Sequence, residues 1–96
     1  MSSIEKTSVD NPLIHAQKTV GTTAVQLTGQ GNAIRGILVK ALTDNEGTVY
    51  VGTSKVTTSN GFPLEGGDSI ELEVSDPSKI YAVASDADQV IALVIL

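Results

Sequence analysis

The residues of this sequence that come nearest to a metal site are two pairs of acidic residues. Asp44 and Glu46 share one short polar stretch, and Asp86 and Asp88 share another. Calcium takes roughly six to eight oxygen ligands, usually from a denser acidic run than either stretch provides. Carboxylates in turns commonly hydrogen-bond their own backbone. We therefore interpret both pairs as solvated turn residues, and we expect no metal and no cofactor.

The sequence also gives little indication of catalytic groups. Glu71 and Glu73 would project about 6.5–7 Å apart from one face of a strand, but they alternate with apolar residues, as solvent-facing residues do. The single histidine, His15, follows Asn11-Pro12 closely and has no nucleophile elbow to serve. Gly29-Gln30-Gly31 lacks the third glycine of a dinucleotide-binding loop. We predict a protein that is not an enzyme.

Composition narrows the classes of partner. The 96 residues are enough for one domain, and the formal net charge of −5 disfavours nucleic-acid binding, which depends on cations contacting phosphates. The longest apolar run, residues 90–96, is far shorter than the roughly 20 residues that a membrane helix needs. Neither a nucleic acid nor a membrane is expected as a partner.

The periodicity of the chain predicts strands. Residues 24–28 and 70–74 alternate apolar and polar side chains, and turn-forming residues recur every eight to twelve positions. Residues 33–42 are the longest strand candidate; a helix competes there, but Gly36 and β-branched neighbours disfavour it. We predict an all-β fold over residues 16–96, a small antiparallel β-sandwich or jelly-roll-like barrel of about seven to eight strands.

A long polar loop lies between two of these strands. Asn60-Gly61 is a strong turn signal, and Phe62 and Leu64 flank Pro63 just after it. We expect both apolar side chains to pin the loop onto the core; a surface position for Phe62, as a contact residue, is the alternative.

The last strand has two apolar faces. A strand of this kind must be covered on both sides, either by a second layer of the domain or by a second copy of the chain. We favour subunit contact over a wholly internal explanation. The predicted oligomer interface comprises Val90, Ile91, Leu93, Val94, Ile95 and Leu96.

Residues 1–15 are mostly polar and are interrupted by Asn11-Pro12, which predicts an extended N-terminal arm. The isolated apolar residues of this segment could each enter a shallow pocket on a larger assembly. They are Ile4, Val9, Leu13 and Ile14. A frayed terminus without a role is the alternative.

Residues 47–96 contain a recognisable pattern: Val49-Tyr50-Val51-Gly52, then Val56-Thr57-Thr58-Ser59-Asn60-Gly61-Phe62-Pro63-Leu64, an acidic strand, and Lys79-Ile80-Tyr81. This half of the chain resembles small structural proteins of tailed-bacteriophage virions. The resemblance implies a β-sandwich module of a virion, either a capsid decoration (cement) protein or a tail or fibre module.

Three functions are therefore compared. The favoured one is a structural virion protein that binds the major capsid protein as a small oligomer, most simply a homotrimer, after assembly in the bacterial host cytoplasm. A carbohydrate-binding sandwich is the second, with residues 53–60 supplying hydroxyl and amide groups, although the sequence has few aromatic residues. An enzyme is the third and least favoured.

Overall fold

The computed structural model describes residues 14–96. These residues form an all-β fold of two four-stranded antiparallel sheets, which confirms the predicted fold class. The strands are β1 (Ile14–Val20), β2 (Val25–Gln26), β3 (Ile37–Ala41), β4 (Val49–Gly52), β5 (Phe62–Leu64), β6 (Ser69–Leu72), β7 (Tyr81–Ala84) and β8 (Gln89–Ile95), and a 3₁₀ turn spans Pro77–Lys79. No helix within the described residues is long and apolar enough to cross a membrane.

Sheet one has the strand order β1-β8-β3-β6, and sheet two has the order β2-β7-β4-β5. The last strand in sequence, β8, is thus an interior strand of sheet one, with β1 on one side and β3 on the other. Ile95 is opposite Ile14 on β1 and opposite Ile37 on β3. The chain closes sheet one by inserting β8 between two strands formed much earlier in the sequence.

The core lies between the two sheets. In β8, Ile91, Leu93 and Ile95 are buried, whereas the alternate residues are partly exposed, as the period of two requires. The same alternation buries every second residue of β3 and β4. The largest fully buried apolar side chains are Val20, Ile37, Val39, Val49, Leu64 and Ile91.

Side-chain amides hold the turn between β3 and β4 against β8. Asn45 Nδ2 donates to the carbonyl of Val90 at 2.9 Å, and the Val90 N–H donates to Asn45 Oδ1 at 2.9 Å. The Asn45 side chain therefore pairs with Val90 much as a strand backbone would. Gln89, which is buried, accepts a hydrogen bond from the Gly47 N–H at 2.8 Å and donates to the Ala87 carbonyl, so its amide makes bonds through both its oxygen and its nitrogen.

The loops divide between the two ends of the sandwich. At one end of the sandwich, Ile14 and Ile37 pair with Ile95 in sheet one, and Gln26 and Gly52 pair with Tyr81 in sheet two. Loops 27–36 and 73–80 connect the two sheets at this end. We call this end, with loops 27–36, 53–61 and 73–80, the Ile34 end. The opposite end, with loops 21–24, 42–48, 65–68 and 85–88, is called the acidic end.

Two strand boundaries differ from the prediction. The first strand, β1, spans Ile14–Val20 and so begins inside the predicted arm of residues 1–15, because β8 offers a seven-residue partner. The long strand expected over residues 33–42 is limited to Ile37–Ala41. A bend at residues 34–35 precedes the strand, so Ile34 lies outside it. Gly36, at φ +155°, follows this bend, and both of its backbone groups bond to Leu96.

The expectation that Phe62 is buried was wrong. Phe62 is 54% exposed, whereas Leu64 is 1% exposed. Both residues face the same side of β5, opposite Val51 and Val49 respectively. The reason is position: β5 is an edge strand of sheet two, and its first residue projects beyond the core that covers Leu64.

We therefore expect Phe62→Ala to change the free energy of unfolding by less than about 1 kcal/mol, as for other surface substitutions. Leu64→Ala, its matched control on the same face of the same strand, should cost about 2–5 kcal/mol through lost contacts and a cavity. Urea unfolding followed by circular dichroism measures both. A loss for Phe62→Ala as large as that for Leu64→Ala would show that the ring is packed.

Candidate functional site

The outer face of sheet one carries a cluster of apolar side chains on its two interior strands. Val94 is directly opposite Leu38, and Ala92 is opposite Lys40, so these side chains share one face. Each of the apolar members is partly exposed. We call this cluster the outer patch; its members are Leu38, Val90, Ala92 and Val94.

Polar side chains border the outer patch on both edge strands. On β1, His15 is opposite Val94 and Gln17 is opposite Ala92. On β6, Glu71 is opposite Leu38, and its carboxylate bonds Arg35 Nη2 at 2.7 Å. An apolar centre with a polar rim is the usual composition of a protein–protein contact surface.

The predicted oligomer interface divides between two faces of β8. Ile91, Leu93 and Ile95 are 0%, 2% and 9% exposed, because sheet two covers them. Their assignment to a subunit contact is corrected, since a second chain cannot reach them while the sandwich is intact. Val90 and Val94 lie on the outer face, as a subunit contact requires.

Leu96, the remaining residue of the predicted interface, lies at the Ile34 end and is partly exposed. Its N–H donates to the Gly36 carbonyl at 2.8 Å, and its carbonyl accepts from the Arg35 and Gly36 N–H groups. These bonds fix the segment before β3 against the end of β8.

The predicted capsid-binding residues fall mostly outside the described part of the chain. Ile4, Val9 and Leu13 lie outside the described residues. Ile14 is the first residue of β1, paired with Ile95, and its side chain is 39% exposed. Ile14 and His15 thus belong to a strand of the domain, although they were expected in the arm.

Among the described residues, the large apolar side chains that are exposed are Ile14, Ile34 and Phe62. Ile34 is 88% exposed. It precedes β3 in a loop, Ile14 begins β1, and Phe62 begins β5 opposite Val51. All three are therefore at the Ile34 end.

A shallow polar pocket of about 350 Å³ lies at this same end. Its lining residues are Gln26, Thr53, Ser54, Ser78, Lys79 and Tyr81. Gln26 Nε2 donates to the Ser78 carbonyl at 3.0 Å, which joins β2 to the 3₁₀ turn. Phe62 and Tyr81 lie on opposite faces of sheet two. Phe62 is opposite the buried Val51, whereas Tyr81 is opposite Gly52, the next residue of β4. Tyr81 is the pocket's aromatic ring.

The 3₁₀ turn beside the pocket is capped by Asp76. The Asp76 carboxylate accepts hydrogen bonds from the hydroxyl and the N–H of Ser78. The Ser78 hydroxyl bond is the main cause that lowers the pKa of Asp76, burial opposes it, and Lys79 contributes a smaller lowering. This carboxylate is therefore kept ionised as a structural cap.

The acidic turns are arranged as expected for solvated residues. Asp44, Glu46, Asp86 and Asp88 are all exposed. Residues 14–96 contain no group of three or more histidine, cysteine or acidic side chains placed to hold a metal ion. His15 is on the exposed edge strand.

No family model, curated protein or solved structure matches this chain. The functional interpretation therefore depends on the exposed surfaces just described. Sequence reasoning had placed Val90 and Val94 on a contact surface but had missed Leu38, Ala92 and Ile34. Leu38 and Ala92 alternate with buried residues along β3 and β8. Once the inward face of each strand is known, this alternation identifies both residues as outward-facing.

Proposed function

We propose that this chain is a non-enzymatic structural protein of a tailed-phage virion, most specifically a capsid decoration protein that binds the head surface as a small oligomer. The observation that carries the proposal is the presence of partly or largely exposed apolar side chains at two separate places. The outer patch is on a sheet face, and Ile14, Ile34 and Phe62 are at one end of the sandwich. A module inserted between like subunits and an underlying surface needs two such contacts.

The sequence resemblance over residues 47–96 supports the virion assignment, and the major capsid protein is then the partner beneath the module. A tail or fibre module would use the same two surfaces against different neighbours. Mass spectrometry of purified particles from the source of this sequence tests the assignment directly, and electron microscopy of the same particles would locate the protein on head or tail. Absence of the protein from purified particles would contradict the proposal.

The outer patch supports self-association, with a homotrimer as the proposed state. Val90, Ala92 and Val94 form a row along one interior strand, and Leu38 widens it. Burying such a row against a second copy removes apolar area from water, which stabilises the contact by about 25 cal/mol for each Å² buried.

We expect Val94→Asp to convert a small oligomer to a monomer while the domain stays folded, because this side chain is partly exposed in the single chain. Size-exclusion chromatography with light scattering at micromolar concentration measures the change. Thr22→Asp, in an exposed loop at the acidic end, is the matched control and should leave the oligomer intact. A wild-type protein that is already monomeric would contradict self-association through this face.

Carbohydrate binding is a second candidate, favoured by the pocket that contains Tyr81. Hydroxyl and amide groups with one aromatic ring are suitable partners for a sugar. A glycan array compares the wild type with Tyr81→Ala; a signal that the substitution abolishes would favour this candidate over the structural role.

A further inference from the structure

We propose that the module docks with its Ile34 end against the assembly and its acidic end toward solvent. The partner at the Ile34 end is a protein surface with apolar pockets bordered by carboxylates. This inference rests on the proposed function and adds an orientation and a partner chemistry to it.

The apolar side chains are distributed unequally between the two ends. Ile14, Ile34 and Phe62, which are 39%, 88% and 54% exposed, are all at the Ile34 end. The loops of the acidic end contribute none of the exposed large apolar side chains found among residues 14–96. An apolar surface that gains from leaving water is thus present at one end.

The charges are distributed in the opposite sense. The loops of the acidic end contain six carboxylates and, within these described loops, no lysine or arginine. The carboxylates are Asp44, Glu46, Glu65, Asp68, Asp86 and Asp88. Docking this end would desolvate several like charges together, which is unfavourable unless the partner supplies a matching set of cations.

The loops of the Ile34 end contain both signs of charge. Arg35, Lys55 and Lys79 are exposed, and Glu73 and Asp76 are the acidic residues. Arg35 is already paired with Glu71 at 2.7 Å, so Lys55 and Lys79 are the cations that a partner would meet. Asp76 is occupied in capping Ser78. Lysines at the same end as exposed apolar side chains fit a partner whose apolar pockets have carboxylates at their margin, since complementary charges favour encounter and fix orientation.

Chain connectivity agrees with this orientation. Residues 1–13 join the domain at Ile14, which pairs with Ile95 at the Ile34 end. Ile14, where the N-terminal segment joins the domain, and the exposed apolar loops therefore lie at the same end. A partner there can bind both at once, and the second contact then forms at high effective concentration.

Head-to-tail stacking of two copies is less well supported. It would place Ile34 and Phe62 of one copy against loops that carry carboxylates and no exposed large apolar side chain. Charge would then be satisfied while the apolar side chains would not. A protein surface with both features satisfies both.

The experiment measures co-sedimentation of the full chain with heads assembled without it. Ile34→Asp and the double variant Lys55→Glu/Lys79→Glu should each weaken binding at least tenfold. The matched control, Glu46→Lys/Glu65→Lys, changes two exposed charges at the acidic end and should bind like the wild type. Circular dichroism establishes that each variant is folded. If one of the two Ile34-end variants does not fold, the other is sufficient for the test.

The outcomes separate this inference from the proposed function. Wild-type protein that does not bind heads would overturn both. Wild-type binding that is weakened by Glu46→Lys/Glu65→Lys but not by the Ile34-end variants would overturn the orientation alone. Filaments that form without heads and disappear in both sets of variants would show head-to-tail stacking. Binding to phosphatidylserine vesicles or to duplex DNA, abolished by Ile34→Asp while heads are not bound, would overturn the choice of a protein partner.

Discussion

Leu93→Asp is expected to leave the chain unfolded at room temperature. Leu93 is 2% exposed, and its neighbours across β8 are Ala16 on β1 and Val39 on β3. Removing a buried leucine side chain costs about 2–5 kcal/mol. An unpaired carboxylate at the same place adds several kcal/mol or forces the group to become protonated. The sum approaches the whole stability of a small domain, about 5–15 kcal/mol.

The adjacent substitution, Val94→Asp, is the matched comparison for fold stability. It introduces the same carboxylate one residue further along β8, on the outer face, where it reaches water. Circular dichroism and amide chemical-shift dispersion measured on both variants should show a folded Val94→Asp and an unfolded Leu93→Asp. A cooperative unfolding transition in Leu93→Asp would mean that β8 presents its other face to the core.

Gly36→Ala has the second of the two largest expected effects. A Cβ atom at this position would lie 1.8 Å from the carbonyl oxygen of Leu72, far inside van der Waals contact. The φ angle of +155° is also one that side chains with a Cβ rarely adopt. Because the obstruction is backbone, β6 or the start of β3 must move, and overpacking with backbone strain of this kind costs about 3 kcal/mol or more.

Gly29→Ala provides the control for Gly36→Ala. A Cβ at Gly29 would meet no atom within 4 Å, so the substitution should be nearly neutral. Comparison of the urea midpoints of the two variants measures the difference. A Gly36→Ala protein as stable as the wild type would show that the Gly36 and Leu72 backbones are further apart than this contact implies.

The fold class could be predicted because each strand carries its own local signal. Alternation in β6 and the turn residues between strands were readable directly, and they were sufficient for an all-β sandwich. Gly36 could be recognised as unfavourable for a helix, but its close approach to Leu72 depends on pairing between distant strands. Contacts of that kind are properties of the assembled sheets and have no local sequence signal.

The candidate site was only partly predictable for a related reason. The two apolar faces of β8 indicated that both must be covered, but the sequence does not say which face turns toward sheet two. The structure assigns Leu93 to the core and leaves Val94 outside. Phe62 was misplaced because an edge strand and an interior strand have the same alternation, and their difference in cover appears only when the strand order is known.

The interior position of β8 constrains the order of events when the protein is made. β1 and β3 flank β8 in sheet one, yet they precede it in the sequence by tens of residues, and Ile14 must wait for Ile95. During synthesis, sheet one therefore remains without a middle strand until residues 89–95 have left the ribosome. Contacts this distant in sequence slow folding, and partly exposed strands are prone to pair with other chains while they wait. Rapid synthesis at high copy number would bring many incomplete chains together during this interval, and mispairing between chains would then be most frequent.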